Sequence, residues 1–321
     1  MAKAQDRLLE FQTAVLFCFV FILNKFTEGY FSSKTGALYA VLAYSAWGLF
    51  PIYWKFLTQV PAIEVVCHRI IWSMVLLMGL LWRQNRIAEF RQLWRSPKSI
   101  LALLLTTTLI AGNWGIYIYG VNSGHIVEAS LGYYINPLVT VLLGSLILKE
   151  RLNLGKKIAV LLAAIAVLNF VWQFGQVPWI AIALAFTFAL YGLFRKLITV
   201  TPMVGLAVET LLATPIALFW IAYLGATGVG SFATAWQISA LLIGCGVVTA
   251  LPLLWFNTAA KRLQLSTLGF FQYLSPSLAL LIGVVLYREP FTAIHAVTFL
   301  LIWAAIAVYS IASVQTGRSV W

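Results

Sequence analysis

The chain has 321 residues, of which 62% are hydrophobic and only 9% are charged, and its formal net charge is +12. A soluble domain holds about 45–50% apolar and about 25% charged residues, so this composition excludes an ordinary soluble fold. The basic residues stand in short segments between long apolar runs. That arrangement is typical of a membrane protein with positively charged inner loops and argues against a nucleic-acid-binding surface.

The N-terminal segment, residues 1–35, differs from the rest of the chain. Its apolar stretch at 11–23 is short, because a bilayer crossing needs roughly 20 apolar residues. The residues before it carry charges of both signs, and no clear small-residue cleavage site follows, unlike in a signal peptide. We expect an interfacial helix or another non-spanning extension here, and an additional span is the alternative.

Ten apolar runs in the remaining chain predict membrane-spanning helices. Only helices and closed barrels satisfy every backbone polar group inside a bilayer. These runs are too long and too continuously apolar for the alternating strands of a barrel. They lie at 37–58, 62–82, 99–121, 123–148, 157–175, 178–199, 202–225, 237–259, 264–287 and 291–314. The sequence therefore predicts an all-α integral membrane protein with ten transmembrane helices.

The connections between these runs predict the orientation. Basic residues concentrate on one side of the membrane, and by the positive-inside rule that side is the cytoplasm. Arg288 is the single basic residue in the connections on the other side. These connections lie at 59–61, 122, 176–177, 226–236 and 288–290. Both termini are then cytoplasmic. The basic residues on the inner side are Arg83, Arg86, Arg91, Arg95, Lys98, Lys149, Arg151, Lys156, Lys157, Arg195, Lys196, Lys261 and Arg262.

The two halves of the chain resemble each other. When Pro137 is aligned with Pro276, Tyr134 meets Tyr273, and further matches follow in the same order along the chain. The matches divide the chain into five-helix units at 36–175 and 176–315, followed by a tail at 316–321. Because five is odd, two such units in tandem enter the membrane from opposite sides. This is the inverted-topology repeat found in many secondary transporters.

Several motifs along the chain are similar to those of one protein family. They are AYSAWGLFPIYWK (43–55), EVVCHRIIWS (64–73), GNWGIYIYGVN (112–122), HIVEASLGYYINPL (125–138) and RLQLSTLGFFQYLSP (262–276). They resemble the RarD proteins of the EamA-like branch of the drug/metabolite transporter superfamily, from about residue 36 to about residue 311. The resemblance implies two inverted EamA-like repeats of five helices around a central cavity. It also implies small-molecule transport at the bacterial inner membrane. Proteins of this family often carry a chloramphenicol-resistance label, which says little about the physiological substrate.

Polar side chains inside spans are costly and usually face the interior of the bundle. This rule selects candidate substrate-binding or gating residues. Proline removes a backbone hydrogen bond, so Pro137 and Pro276 are predicted to be hinges, and simple packing kinks are the alternative. No catalytic set, metal-ligand spacing or cofactor motif accompanies them. The candidates are His68, Arg69, Asn113, Trp114, Glu128, Tyr134, Asn136, Glu209 and Gln272.

Arg69 lies in the outer third of the second span, at a depth similar to that of Glu64 and Glu128. A cluster of Arg69 with either carboxylate would lower the cost of burying each charge. Such a cluster has two interpretations. It is a structural pair between the second and fourth spans, or it marks a site where Arg69 binds an anionic group or forms an outer gate.

Glu209 is the acidic residue of the second half that lies within a span, away from a connection. No basic residue is close to it in its own helix. Burial disfavours the charged form of a carboxyl group, so Glu209 is predicted to be the carboxylate that couples transport or faces the substrate. The alternative is a protonated side chain that forms a structural hydrogen bond between helices.

The function predicted from these features is a secondary transporter that exports a small amphiphilic solute by alternating access. A Walker A motif is missing, so ATP is not the predicted energy source. The expected partners are the solute and the lipid bilayer, without nucleic acid, and a homodimer remains open. The alternatives are a membrane-embedded receptor or partner protein and a lipid-modifying membrane enzyme.

Overall fold

The structure is a computed structural model, and it describes residues 33–174, 178–282, 286 and 293–318. The N-terminal extension up to residue 32 lies outside these residues. The prediction that residues 11–23 form an interfacial or otherwise non-spanning segment is therefore not tested.

The described residues form α-helices joined by short connections, with no β-strand among them. A 3₁₀ turn, Lys55–Leu57, extends the first helix. The helices are α1 (Ser33–Trp54), α2 (Ala62–Arg83), α3 (Ile87–Leu93), α4 (Pro97–Asn122), α5 (Ile126–Leu146), α6 (Leu154–Phe174), α7 (Trp179–Leu197), α8 (Pro202–Ala226), α9 (Trp236–Arg262), α10 (Leu265–Gln272), α11 (Leu274–Leu281) and α12 (Ala293–Arg318).

Each predicted span overlaps one of these helices, or two in the case of 264–287. Within the described ranges, seven helices are long and apolar enough to cross a membrane: α1, α2, α4, α5, α7, α8 and α9. The short helix α3 was not predicted. It lies in the connection between α2 and α4, where Phe90 is buried and Arg86 pairs with Glu89 at 2.6 Å.

The two aligned prolines lie in different local structures. Pro137 is inside the continuous helix α5, whereas the corresponding helix of the second half is interrupted at Tyr273 between α10 and α11. Pro276 follows this interruption in the first turn of α11. Because proline has no N–H to donate, it weakens the helix in the turn before it. That turn is where the second of the two helices is broken.

The helices pack in a regular set of pairs. α2 packs on α8, α5 on α10, and α6 on α12. α7 packs on both α4 and α5, while α1 packs on both α9 and α11, and α9 also packs on α2. Small residues allow some of these approaches, among them Gly132, Gly144 and Gly269. A side chain at any of the three would meet the neighbouring helix within 3.1 Å.

Apolar burial is concentrated at one end of the bundle. The largest core cluster contains the first turns of α1 and α4 and the last turns of α2 and α9, for example Ala40, Leu103, Leu81 and Ala260. The basic connections lie at this same end. Apolar packing therefore closes the end of the bundle that the sequence predicts to be cytoplasmic.

Candidate functional site

Arg69 occupies a polar and aromatic site between α1, α2, α4 and α9. Its Nε donates to Thr249 Oγ1 at 2.9 Å. Its guanidinium carbon lies 5.2 Å from the ring centre of Trp54 and 4.7 Å from that of Trp114. An arginine over aromatic faces gains cation–π attraction, which offsets part of the cost of placing it inside the membrane. We call the group formed by Arg69, Trp54, Trp114 and Thr249 the arginine site.

Glu209 lies in a second polar cluster, deeper in the closed end of the bundle. Its Oε1 accepts a hydrogen bond from Thr106 at 2.6 Å, and its Oε2 accepts one from Tyr191 at 3.2 Å. Arg195 Nη1 approaches Oε1 at 3.5 Å, and Asn257 Nδ2 donates to the Tyr191 hydroxyl at 3.1 Å. Glu209 and Arg195 are 2% and 1% exposed, so both ends of this ion pair are withdrawn from solvent. We call these five residues the glutamate cluster.

Trp114 connects the two groups. One contact of its ring is with the Arg69 guanidinium. The same residue lines a small cavity, about the size of one water molecule, whose wall also contains Glu209, Thr107 and Thr210. Trp114 is thus shared by the arginine site and the wall of the cavity beside Glu209.

A third polar group joins α5 to α10 near the two aligned prolines. The Thr140 hydroxyl lies 3.0 Å from Asn136 Oδ1 and 3.4 Å from Gln272 Oε1. The hydroxyl of Tyr273 donates to the backbone carbonyl of Tyr134 at 3.4 Å. The structure thus brings Tyr134, Asn136 and Gln272 together, but not into the arginine site.

Glu64 and His68 hold the loop between α8 and α9, residues 227–235. The buried Glu64 carboxylate accepts hydrogen bonds from the backbone N–H groups of Ser231 (2.8 Å) and Phe232 (2.9 Å). The His68 ring stacks on Phe232 at 4.7 Å, and its Nδ1 accepts from Trp72 Nε1 at 3.1 Å. An indole N–H only donates, so His68 Nδ1 carries no proton and the ring is the neutral Nε2–H tautomer.

Two other candidates attach neighbouring helices to α7. Glu128 Oε1 accepts from the backbone N–H of Ile180 at 2.6 Å, which satisfies one of the free N–H groups in the first turn of α7. Asn113 Nδ2 donates to the Leu184 carbonyl and to Thr187 Oγ1, both at 2.9 Å. In this structure both residues bind α7 and lie apart from the arginine site.

The predicted cluster of Arg69 with Glu64 or Glu128 is not observed among the described residues. Glu64 is engaged by the 227–235 loop, and Glu128 by α7. Both carboxylates therefore accept backbone N–H groups at the start of another segment. Similar depth in the membrane did not imply contact, because depth leaves the direction of a side chain around the helix undetermined.

Sequence reasoning missed Arg195 and the aromatic neighbours of Arg69. Arg195 was counted only as one of the basic residues of the inner side, whereas its side chain is buried within the last turn of α7. Gly205 is the signal that could have identified it. A Cβ on Gly205 would lie 2.1 Å from Arg195 Nη1, so this glycine provides the space for the guanidinium one turn before Glu209. Trp54, Tyr191 and Thr249 carried no comparable signal.

Comparison with known proteins identifies the family. Residues 34–172 match the model of the EamA-like transporter family. An uncharacterized transporter of Vibrio cholerae is 46% identical over 288 residues, covering 89% of this chain and 95% of its own. The RarD protein of Salmonella typhi is 44% identical over 289 residues, covering 89% of this chain and 98% of its own. The chain therefore belongs to the RarD proteins of the EamA-like transporter family.

A solved crystal structure of a protein supports the fold. It superimposes with a TM-score of 0.70 at 18% sequence identity, covering 87% of this chain and 99% of the other. At this identity the likeness concerns the fold alone. Family and fold together define a multi-pass membrane transporter of a bacterial family.

Proposed function

We propose that this protein is a secondary transporter that exports a small amphiphilic solute across the bacterial inner membrane by alternating access. In this proposal ten spans form two inverted repeats, 36–175 and 176–315, with both termini in the cytoplasm. The observation that carries it is the pattern of helix packing, in which the most extensive contacts recur when the first five spans are exchanged for the second five.

Two halves related by a two-fold axis must show a particular pattern of contacts between helices. An element near the axis touches its own counterpart, and every other contact occurs twice with the partners exchanged. α2 packs on α8, α5 on α10, and α6 on α12, and each of these pairs consists of counterparts. The packing of α7 on α4 and α5 is repeated by the packing of α1 on α9 and α11. Two halves related in this way can rock about a shared central site and open it to either side in turn.

The glutamate cluster supports proton coupling because it gives Glu209 a partner in both protonation states. The Thr106 hydroxyl lies 2.6 Å from Glu209 Oε1 and 3.0 Å from the Leu103 carbonyl, and it has one proton to donate. When Glu209 is ionised, Thr106 donates to it and Arg195 balances its charge. When Glu209 is protonated, it donates to Thr106, which then donates to Leu103. The carboxyl group of Glu209 thus keeps a hydrogen-bond partner in both protonation states, while its protonation removes the counter-charge of Arg195.

The remaining candidates receive positioning or gating roles in the proposal. Glu64 and His68 fasten the 227–235 loop at the outer end and act as an outer gate. Asn136 and Gln272 join α5 to α10 beside Pro137 and Pro276, where the weakened turns act as hinges. Asn113 and Glu128 keep α4 and α5 attached to α7 during the movement.

Counterflow in proteoliposomes tests transport without assuming an energy source. Liposomes containing the purified protein are loaded with unlabelled chloramphenicol or indole-3-acetate, and the labelled compound is added outside. A transporter should produce transient accumulation of label above that in protein-free liposomes for at least one solute class. Tight binding of a solute without counterflow would favour a receptor, and chemical conversion of a lipid or solute would favour an enzyme.

Cysteine labelling tests the proposed orientation. In a variant whose Cys18, Cys67 and Cys245 are replaced by alanine, Gln92→Cys should resist an impermeant maleimide in intact cells, whereas Val229→Cys should be labelled. Both positions are exposed, so access depends on the side of the membrane rather than on burial. Permeabilised cells provide the control, because both sites should then react. Labelling of Gln92→Cys in intact cells would contradict cytoplasmic placement of the basic connections.

A further inference from the structure

Arg69 is a cation inside the bundle that forms no ion pair with a carboxylate of the described residues. The ion pairs found within the described ranges are Arg86–Glu89 and Arg195–Glu209, and Arg69 takes part in neither. The nearby acids on α2 and α5 are already engaged by backbone N–H groups. A positive charge inside a membrane is expensive, and an arginine kept there without a carboxylate is a candidate for binding an external anion.

The hydrogen bonds of Arg69 leave the two Nη atoms of its guanidinium able to donate to a ligand. Its Nε donates to Thr249, and within the described part of the chain its two Nη atoms donate to no protein acceptor. The indoles of Trp54 and Trp114 interact with the guanidinium as π systems and do not accept its in-plane N–H groups. The two Nη atoms present a planar fork, which matches the two oxygens of a carboxylate.

The surroundings of Arg69 are accessible and aromatic. Tyr117 and Tyr133 lie close enough to interact electrostatically with Arg69, and their ring centres are 6.3 Å apart. They are 38% and 51% exposed, whereas most side chains of the closed end are buried. An apolar surface with few polar groups is the usual lining of a small-molecule site. Here it would hold a flat apolar body beside the guanidinium.

The charge of the arginine site selects the type of anion. Cys245, Tyr117 and Tyr133 are the electrostatic neighbours identified for Arg69, and none of them is a second cation. A phosphate monoester carries a charge of about −1.5 to −2 at neutral pH, which one arginine would leave partly unbalanced. A carboxylate carries a single negative charge and is matched by one guanidinium.

We infer that Arg69 binds the carboxylate of an amphiphilic organic acid, whose apolar or aromatic body lies against Trp114, Tyr117 and Tyr133. This inference rests on the proposed transport function and names the substrate class of the same site. Thr249 positions the guanidinium through its Nε. The bound acid contacts Trp114. This side chain also contacts the Arg69 guanidinium and lines the small cavity beside Glu209.

Binding of matched acids and amides to the full-length purified protein tests the inference. Indole-3-acetate and benzoate are compared with indole-3-acetamide and benzamide by isothermal titration calorimetry, and acetate and inorganic phosphate control for charge alone. The wild-type protein should bind each aromatic acid about tenfold or more tightly than its amide, because a charge-assisted hydrogen bond is lost in the amide. Equal affinity for acid and amide in the wild-type protein would overturn the inference without any variant.

Variants then assign the preference to Arg69. Arg69→Gln should abolish the acid preference, and Thr249→Val should reduce it while leaving the charge in place. Arg262→Gln is the matched control, since Arg262 also lies over an aromatic ring, 5.2 Å from the centre of Tyr39, but at the end of α9. It should keep the wild-type preference. An unchanged preference in Arg69→Gln would also overturn the inference.

Flux measurements with the same acids separate this inference from the proposed function. Selective binding of acids through Arg69 without counterflow would refute transport and leave the carboxylate site intact. Counterflow of chloramphenicol, together with equal affinity for acids and amides, would refute the carboxylate site and leave transport intact. Counterflow of acids that disappears in Arg69→Gln supports both.

Discussion

Replacing Glu209 with glutamine is expected to reduce pH-gradient-driven net efflux to the level of protein-free liposomes, while solute binding persists. Glutamine keeps the size of the side chain and can still bond with Thr106 and Tyr191, but it cannot ionise. A carrier that couples through this carboxyl group therefore loses its dependence on the proton gradient. Net efflux along an imposed pH gradient, measured beside binding affinity, checks the result.

Arg195 complicates the single substitution. Glu209→Gln leaves this buried arginine without its counter-charge, and breaking a buried pair costs about 3–5 kcal/mol. The double variant Glu209→Gln/Arg195→Gln removes both charges and should recover much of the lost thermal stability. It should still lack pH-driven efflux, because the proton-carrying group is missing.

The double variant distinguishes a proton-coupling role of Glu209 from a purely structural role as the counter-charge of Arg195. If Glu209 only balances Arg195, restoring stability should also restore efflux with its normal dependence on pH. Gly205→Ala gives an independent measurement. Its Cβ would displace the Arg195 guanidinium while both charged residues remain, so efflux should fall with Glu209 still present. Wild-type efflux in Glu209→Gln at every pH would refute the coupling role.

Gly246→Ala is expected to destabilise the fold by overpacking the contact between α2 and α9. A Cβ at this position would lie 2.4 Å from the backbone carbonyl carbon of Trp72 and 2.6 Å from its oxygen. Because both atoms belong to helix backbones, α2 and α9 must separate to relieve the clash. Overpacking of this kind costs about 1–3 kcal/mol, and we expect Tm to fall by about 5 °C or more. Thermal unfolding in detergent and the yield of monodisperse protein check the result.

Gly112→Ala is the matched control. Gly112 also lies within a long helix, but an added Cβ there would meet no atom within 4 Å. Its Tm should equal or exceed that of the wild-type protein, since alanine favours a helix over glycine. Separation of α2 from α9 would also move Arg69 relative to Thr249, so Gly246→Ala should weaken acid binding. Equal stability of the two variants would show that the α2–α9 contact tolerates a side chain.

The membrane class and the approximate positions of the helices could be predicted from composition and the lengths of apolar runs. The bilayer imposes these features on each segment separately, because every crossing needs enough apolar residues and an internally bonded backbone. The short helix α3 escaped prediction for the same reason. It lies in a connection, where no such demand acts, and its position depends on the packing of Phe90.

The candidate site was predicted in part. Arg69, Trp114 and Glu209 were selected because polar or amphipathic groups are conspicuous inside apolar runs. Their partners were not selected from the sequence. Arg195 resembled one more basic residue near the end of a span, and Trp54 and Thr249 resembled ordinary packing residues. The sequence by itself thus determined which costly groups enter the membrane. The tertiary structure alone decided that Glu209 meets Arg195 and that, among the described residues, Arg69 meets two indoles and no carboxylate. The physical reason is that these contacts join different helices, and the packing of those helices sets the direction in which each side chain points.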